Sequence, residues 1–322
     1  MLSFLIRRVV LAAIVIAAFS FVSFVLFARL QPPPRPSVLP QYWAWLRGVW
    51  SGTSLHAMTH GSSTFPAVLV ALGHSAALLT FALVLVLVFS VGLAVAAARW
   101  RGSALDTVLR GCSYLAWGIP TFLVAFAVQQ ALNTLGSSRG LGPFPIAGWP
   151  GSCPAAIGLN FGTLTPCAAA GTGPLYLLHL LTHLALPAGA LALGFIGLHS
   201  RYLRGALIEA LDAPFIVTAY AKGLSERRVL FRHALRVSLG TFISALLADF
   251  GAVFGAALAI DYVFQLGGLG YLYVHEFRGQ TGSFDLYSVE ALLLVTALLV
   301  LASSLLSELS VDLLDPRVRA NR

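Results

Sequence analysis

Long apolar stretches alternate with short polar segments along this chain of 322 residues. Six of the stretches have about 20 or more mostly apolar residues, the length that an α-helix needs to cross about 30 Å of hydrocarbon. They lie near residues 8–30, 68–98, 108–134, 175–200, 239–264 and 287–311. The pattern predicts an all-α polytopic membrane protein with six transmembrane helices. Because no soluble domain remains outside these spans, we expect residues 1–322 to form a single transmembrane domain.

The composition supports membrane residence. Hydrophobic residues make up 58% of the chain and charged residues only 10%, whereas soluble domains have about 25% charged residues. One soluble core of this size could not bury so much apolar surface, but a bilayer could cover it. The first apolar run, Val9 to Ala28, follows Arg7 and Arg8 and is long enough to span. We therefore expect a retained span and not a cleaved signal peptide.

The basic residues predict which polar segments face the cytoplasm. With the N-terminus inside, the inside segments carry Arg7, Arg8, Arg99, Arg101, Arg110, Arg201, Arg204, Lys222, Arg227, Arg228, Arg232, Arg236, Arg317, Arg319 and Arg322. The outside segments carry Arg29, Arg35, Arg47, Arg139 and Arg278. This bias predicts N-in/C-in topology, with outer loops at residues 31–67, 135–174 and 265–286. Because the basic residues mostly flank apolar runs, the net charge of +8 indicates membrane lipid and no nucleic acid as a partner.

The outer loops contain further candidate features. Tyr42, Trp43, Trp45 and Trp50 follow a proline run and predict an aromatic belt on an interfacial helix. Cys153 and Cys167 share the second outer loop, where an oxidising exterior permits a disulfide, although two unrelated buried thiols are the open alternative. Cys112 is expected to be a small core residue. Two histidine pairs, His56/His60 and His179/His183, have i, i+4 spacing but no evident third ligand, so we predict no metal site.

The cytoplasmic segment 204–238 is the most informative part of the chain. Asp212 is expected to cap a short helix from Phe215 to Lys222, and Gly223 suits the left-handed position after it. Ser225 is the candidate N-cap of a second helix, whose apolar positions are Val229, Leu230, Phe231, Ala234 and Leu235. Two short helices around a glycine can present a compact knob to a partner protein. The alternative is an amphipathic surface helix that touches only anionic lipid.

Residues 215–236 resemble the EAA loop of the dipeptide/oligopeptide-type ABC transporter permeases. The matching positions are Thr218, Ala219, Ala221, Lys222, Gly223, Ser225, Arg227, Arg228, Val229, Arg232, His233, Ala234, Leu235 and Arg236. The segments 1–8, 118–123, 261–270 and 313–319 are also similar to the family, so the resemblance covers essentially the whole chain, as the first subunit of a permease pair. The chain departs from the family pattern at residues 31–34 and at Thr241, Asp261 and Gly267.

The resemblance implies a type I importer permease fold with a cytoplasmic coupling helix, in the bacterial inner membrane. It implies ATPase coupling through Thr218, Ala219, Ala221, Lys222, Gly223, Ser225, Arg227 and Arg228. It also implies a second homologous permease subunit, two cytoplasmic ATPase subunits that bind ATP and Mg, and an extracytoplasmic solute-binding protein. The solute would be di- or oligopeptides, although relatives of this family move nickel, haem or other solutes.

The residues themselves place the ATP chemistry elsewhere. A Walker A loop needs a lysine followed by Ser or Thr, and Lys222, the only lysine of the chain, precedes Gly223. We therefore expect no catalytic residue and no cofactor in this chain.

Asp249, near the middle of the fifth span, and Asp261 are the candidate residues of the translocation pathway, since acids inside spans are costly and often functional. The alternative for Asp249 is a structural acid that pairs with a neighbouring helix. An ion-coupled secondary transporter is the rival function, although matched halves with several midplane acids are not evident.

Overall fold

The computed structural model describes residues 2–31, 37–51, 64–139, 148–150, 152–154, 164–166, 174–278 and 286–314. The helices of this part are α1 (Leu2–Leu30), α2 (Val38–Ser51), α3 (Thr64–Arg99), α4 (Ala104–Gly118), α5 (Thr121–Arg139), α6 (Pro174–Leu211), α7 (Pro214–Ala221), α8 (Glu226–Arg228), α9 (Leu235–Ala248), α10 (Phe250–Phe264), α11 (Leu269–Arg278) and α12 (Leu286–Leu314). A π-helical segment, Val229–Ala234, connects α8 to α9. Strands β1 (Ser152–Pro154) and β2 (Leu164–Pro166) form an antiparallel pair in the loop between α5 and α6. The described chain is thus almost entirely helical, as the sequence predicts.

Five helical segments of the described residues are long and apolar enough to cross a membrane. They are Val10–Leu30, Val68–Arg99, Tyr176–Leu211, Glu226–Ala248 and Leu286–Ser307. Two pairs of bent helices, α4 with α5 and α10 with α11, raise the number to seven if each pair counts as one span. The predicted spans therefore have helical counterparts, while the count of six and the N-in/C-in orientation stay predictions.

The third predicted span, 108–134, is not one continuous helix. Helix α4 ends at Gly118 and α5 begins at Thr121, with an angle of 89° between them. The break follows from Pro120, which has no N–H for a helical bond and disfavours helical angles at the residue before it. Ile119 accordingly adopts an extended conformation, with φ −92° and ψ 123°.

The fifth predicted span, 239–264, begins earlier than the sequence indicates. The helix is continuous from Glu226 through α9, because the π-helical segment joins the predicted second short helix to the span. Asp249 then separates α9 from α10, with φ −83° and ψ 0°. At the other end α10 stops where Gln265 takes a left-handed conformation, with φ 53°. The predicted outer loop 265–286 contains a helix of ten residues, α11.

The described helices form two compact units, of which the first contains Met1–Ser75 and Leu266–Ala302. Its core consists of Phe24, Ala28, Tyr42, Trp45 and Leu286. Tyr42 and Trp45 are 8% and 1% exposed, and Trp45 packs on Phe24 with ring centroids 5.8 Å apart. The predicted interfacial belt is therefore wrong for these two side chains, because they form core packing for α1, whereas Trp43 is 52% exposed. The side chain of Trp50 lies outside the described residues.

The second unit contains Ala76–Gln265 and Ser303–Arg322 and is organised around α6. Helix α6 packs against α4, α5, α9 and α10. It runs for 38 residues, from Pro174 to Leu211, and so continues well past the predicted end of the fourth span at residue 200. The extension carries Leu203 and Leu207 into an apolar cluster with Val229, Leu230 and Phe242. This cluster supports the segment that follows α6.

Glycine at position 197 lets α4 approach α6 closely. A Cβ at Gly197 would lie 2.5 Å from the Ser113 carbonyl oxygen. We expect Gly197→Ala to destabilise the protein by about 1–3 kcal/mol, because α4 would have to move away from α6. The matched control is Gly205→Ala on the same helix, where the added methyl meets nothing within 4 Å and should be neutral or stabilising by up to about 1 kcal/mol. Denaturant unfolding in detergent measures both, and equal losses would contradict the close packing.

The cysteines fit the sequence predictions only in part. Cys112 is exposed on α4, so its predicted place in a core is wrong within the described chain. Cys153 lies in β1 opposite Thr165, while its side chain and all of Cys167 lie outside the described residues. The predicted disulfide therefore stays a prediction.

Candidate functional site

The first short helix that the sequence predicts in segment 204–238 is α7. Pro214 occupies its first turn, as expected, but the N-cap is Ala213 and has no side-chain cap bond. The prediction that Asp212 caps this helix is wrong, because its carboxylate instead binds Arg101, with Nη1 3.1 Å from Oδ2. A second exposed ion pair joins Arg99 to Glu226 at 3.7 Å. Both pairs connect the α3–α4 loop region to the segment around α7.

The end of α7 confirms the predicted left-handed position of Gly223. Its φ is 76°, the left-handed conformation that glycine adopts at low cost. The Gly223 N–H donates to the Tyr220 carbonyl at 2.9 Å, and the Leu224 N–H donates to the Ala219 carbonyl at 3.3 Å. These two bonds are the Schellman pattern, which satisfies carbonyl groups at the end of a helix. A short helix with a defined stop is therefore built into the local sequence.

Helix α7 rests on the rest of its unit through two side chains. Ile216 and Ala219 are 2% and 5% exposed and belong to the apolar cluster with Leu207, Val229 and Leu230. The positions are three residues apart and so lie on one face of the helix. Among the sequence-predicted coupling residues, Ala219 is thus the packing residue.

The remaining faces of α7 are apolar and exposed. Phe215, Val217 and Tyr220 are 42%, 68% and 47% exposed. The other sequence-predicted residues of the site are also exposed: Thr218, Ala221, Lys222, Gly223, Ser225, Arg227 and Arg228. The structure therefore places an apolar patch and the basic side chains of Lys222, Arg227 and Arg228 on one short surface segment, residues 214–228, which we call the α7 knob. A helix that is apolar on both its buried and its exposed faces is typical of an interaction site.

The second predicted helix begins where the sequence indicates. Ser225 is the N-cap residue of α8, although its side chain makes no cap bond. Within the apolar stripe, Val229, Leu230 and Ala234 are buried, as predicted, whereas Phe231 is 49% exposed. The same stretch forms the π-helical segment, in which the Leu235 N–H bonds to the Leu230 carbonyl five residues back.

A buried ion pair at the start of α4 was not foreseen from the sequence. The Asp106 carboxylate, 2% exposed, accepts hydrogen bonds from Arg204 Nε at 2.8 Å and from Arg204 Nη2 at 2.7 Å. The Gly102 N–H donates to the same carboxylate at 3.1 Å. The Ser103 hydroxyl caps α4 by accepting from the Asp106 N–H. The Ser-x-x-Asp spacing signals such a helix start, but nothing in the sequence indicates the partner Arg204. This contact fixes α4 to the part of α6 that leads into α7.

The two candidate pathway acids lie apart from one another. Asp249, whose side chain is 35% exposed, has its Oδ2 3.4 Å from His199 Nε2 of α6. Asp261 is 1% exposed in the last turns of α10. Twelve residues of helix separate the two by about 18 Å.

Another buried acid, Glu290 of α12, was missed although it lies within an apolar run. Its side chain is 0% exposed, and the Ser23 hydroxyl donates to its Oε1 at 2.8 Å. The sequence signal was an acid inside a predicted span. The contact joins α12 to α1.

No group of three metal-ligating side chains is close together in the described ranges. Of the two histidine pairs, His183 hydrogen-bonds the Gly148 carbonyl through Nδ1 at 3.0 Å, and His56 and His60 lie outside those ranges. The Gly148 N–H in turn donates to the Phe264 carbonyl at 2.8 Å. His183 thus helps to hold the short segment 148–150 against the helices of its unit.

Comparisons with known proteins show the family of this chain. Residues 89–320 match the family model described as binding-protein-dependent transport system inner membrane component. The oligopeptide transport system permease protein AppB of Bacillus subtilis is 25% identical over 281 residues, which cover 86% of this chain and 79% of AppB. The oligopeptide transport system permease protein OppB of Mycobacterium bovis is 31% identical over 220 residues, which cover 67% of this chain and 61% of OppB. A Brucella suis protein whose name is that of a peptide permease is 27% identical over 281 residues, or 87% of this chain and 79% of the relative.

The family match spans the α7 knob and the acids Asp249 and Asp261 together. The relatives are permeases, and the helices of this chain are long and apolar enough to cross a membrane several times. The chain belongs to the family of binding-protein-dependent transport system inner membrane components, as a non-enzymatic, multi-pass permease of the bacterial inner membrane.

Proposed function

We propose that this chain forms half of the translocation pathway of an ATP-driven importer for di- or oligopeptides, and that α7 is its coupling helix. The proposed coupling role rests on a single observation, the exposed apolar face of α7. A side chain as apolar and as exposed as Val217, at 68%, gains stability when a partner covers it. In the proposed N-in/C-in topology with six spans and a type I fold, this face lies in the cytoplasm.

The contacts between α7 and the helices it packs against can transmit a mechanical force. Ile216 and Ala219 pack on Leu207 of α6 and on Val229 and Leu230 of the segment that continues into α9. A force on the exposed face of α7 therefore reaches two membrane-crossing helices through close-packed side chains, which resist compression. Lys222, Arg227 and Arg228 add positive charge beside the apolar face. The partner surface should accordingly be an apolar groove with acidic residues at its edge.

The partner chains follow from the family. We infer a second homologous permease, two cytoplasmic ATPase subunits and an extracytoplasmic solute-binding protein. ATP and Mg would be bound by the ATPase subunits, since Lys222 stands before Gly223 and cannot serve a phosphate-binding loop. Thr218, Ala221, Lys222, Gly223, Ser225, Arg227 and Arg228 would form the docking surface, and Ala219 would hold it in place.

The solute class rests on the names of the relatives, which are peptide and oligopeptide permeases. Asp249 is the proposed pathway acid, because it is 35% exposed at the junction of α9 and α10. A carboxylate there can contact the protonated amine of a peptide. Asp261 is buried in this chain and would serve the pathway by holding the end of α10.

Uptake by the complete transporter tests this function. The chain is reconstituted into proteoliposomes with its partner permease, ATPase subunits and binding protein. Labelled peptides of two to eight residues, Ni²⁺ and haem are then offered separately, with and without ATP. We expect ATP-dependent uptake of the peptides and no uptake of Ni²⁺ or haem. ATP-dependent uptake of Ni²⁺ or haem without peptide uptake would contradict the peptide class, and uptake driven by an ion gradient without ATP would contradict the importer.

A further inference from the structure

The His199 ring is enclosed by the helices of the second unit. The residue lies on α6, its side chain is 0% exposed, and it belongs to the part of α6 that packs against α9. Its ring centroid lies 6.0 Å from that of Phe242 and 5.9 Å from that of Tyr202, both in edge contact. An imidazole in such surroundings must satisfy both ring nitrogens within the protein.

One ring nitrogen has a definite partner. His199 Nδ1 lies 3.0 Å from the carbonyl oxygen of Phe195. A carbonyl oxygen only accepts, so Nδ1 carries a hydrogen and donates it. In the neutral form of the ring, Nε2 then has a lone pair and no hydrogen.

The other nitrogen faces an acid across a short gap. Nε2 lies 3.4 Å from Asp249 Oδ2, and within the described chain it has no hydrogen-bond partner. With a neutral ring and an ionised Asp249, both of these atoms are acceptors and neither supplies a hydrogen to the contact. A proton on either atom makes the contact attractive, and a gap of 3.4 Å admits nothing larger than a proton.

We propose that His199 and Asp249 form a proton-binding site that takes up one proton between Nε2 and Oδ2. Uptake changes the net charge of the pair from −1 to 0, whichever of the two atoms holds the proton. Asp249 is the charged group that acts on the ring within the described chain, and Tyr202 is the other titratable side chain in ring contact. Arg201 is two residues away in the sequence but points elsewhere, because its Nε donates to the Gly197 carbonyl and its guanidinium lies 4.2 Å from the centre of the Tyr114 ring.

The site lies where it can affect the pathway. Asp249 joins α9 to α10, and α6 packs against both of these helices. When the proton is bound, His199 and Asp249 attract each other, and this attraction holds the junction of α9 and α10 against α6. Loss of the proton leaves a repulsive contact, so the carboxylate moves towards the side on which it is already 35% exposed. The consequence for transport rests on the proposed function, whereas proton binding does not.

Three variants separate this site from ordinary packing. Asp249→Asn removes the acidic group, but its amide can still donate to Nε2. His199→Gln keeps a donor that can reach Asp249 and lacks the ring, while Asp249→Leu removes all polar contact. Unfolding in detergent reports whether each variant folds.

Infrared difference spectroscopy of the purified chain across a pH series tests proton binding directly. We expect the wild type to show a carboxyl signal that changes together with an imidazole signal. Asp249→Asn should lose both changes, and His199→Gln should keep the carboxyl change at a different pH. The proposal is overturned if the wild type and Asp249→Asn give the same spectra, or if the carboxyl signal is unaltered in His199→Gln.

The pH profile of ATP-driven uptake is the second readout. For the wild type we expect uptake to fall by about tenfold per pH unit once the pair has lost its proton, and His199→Gln to show this fall at a different pH. A profile shared by both proteins would overturn the link to transport. If the wild type shows the infrared signal but no ATP-driven uptake, the proposed function fails and the proton site stands.

Discussion

Replacement of Asp106 by alanine is expected to destabilise the protein by about 3–5 kcal/mol. The substitution leaves the Arg204 guanidinium, which is 18% exposed, without the carboxylate that accepts two of its hydrogen bonds. It also removes the acceptor of the Gly102 N–H at the start of α4. A buried charge without a partner costs more than the pair itself contributes. We therefore expect loss of the folded chain from membranes at growth temperature.

Two controls isolate the cause of this loss. Asp212→Ala breaks an Arg–Asp pair in the same region of the chain, but its side chains are 57% and 63% exposed, so we expect at most about 1 kcal/mol. Asp106→Ala combined with Arg204→Met removes both charges and should recover part of the stability. Denaturant unfolding in detergent gives the differences. Equal losses for Asp106→Ala and Asp212→Ala would contradict the buried pair.

Val217→Glu is expected to abolish ATP-driven uptake while the permease itself remains folded. The Val217 side chain is 68% exposed, so a glutamate carboxylate at this position would be hydrated in the isolated chain. In the proposed complex the same position is covered by the ATPase groove, and an unpaired charge would be buried. We expect the ATPase subunits to bind more weakly by about 2 kcal/mol or more, which is roughly 30-fold. Co-elution of the ATPase with the permease and uptake into proteoliposomes measure the effect.

A variant of the same residue serves as the control for the charge. Val217→Thr keeps the shape of the side chain and should retain most of the uptake. Unfolding of both variants in detergent should match the wild type. If Val217→Glu transports as well as the wild type, α7 does not dock through this face.

The sequence predicted the features that depend on local rules. Apolar length located the helices of the spans, because a helix must satisfy its own backbone in the absence of water. Gly223 and Ser225 were predicted at the ends of their helices, because left-handed backbone and N-cap positions select these residue types. Pro120 carried the signal for the break between α4 and α5, and its geometric effect on Ile119 was overlooked.

Features that depend on contacts between distant residues could not be predicted. Asp106 and Arg204 are 98 residues apart, and many arginines of the chain were equally available as partners. Asp212 looked like a helix cap, but a charged partner, Arg101, competed for its carboxylate. The aromatic residues Tyr42 and Trp45 had the composition of an interfacial belt, and only packing against α1 shows them to be core residues.

The sequence predicted which residues form the candidate site, and the burial of their side chains shows which of them are exposed and which pack inside. The matching residues of the coupling segment include both exposed and buried positions, and the sequence could not separate Ala219 from Ala221. Phe231 was predicted in the apolar stripe of its helix, but its side chain is 49% exposed. For Asp249 the sequence left open a pairing with a neighbouring helix, and in the structure its Oδ2 lies 3.4 Å from His199 Nε2 of α6.

Photo-crosslinking from position 217 tests the central claim most directly. A benzoylphenylalanine at Val217 is introduced into the full transporter in native membranes, and captured proteins are sequenced by mass spectrometry. Val22, which is 63% exposed on the predicted first span, is the control position. We predict that position 217 captures a cytoplasmic protein with a phosphate-binding loop of the G-x-x-x-x-G-K-[ST] type and that position 22 does not. Capture of lipid alone, or of the same proteins from both positions, would contradict coupling through α7.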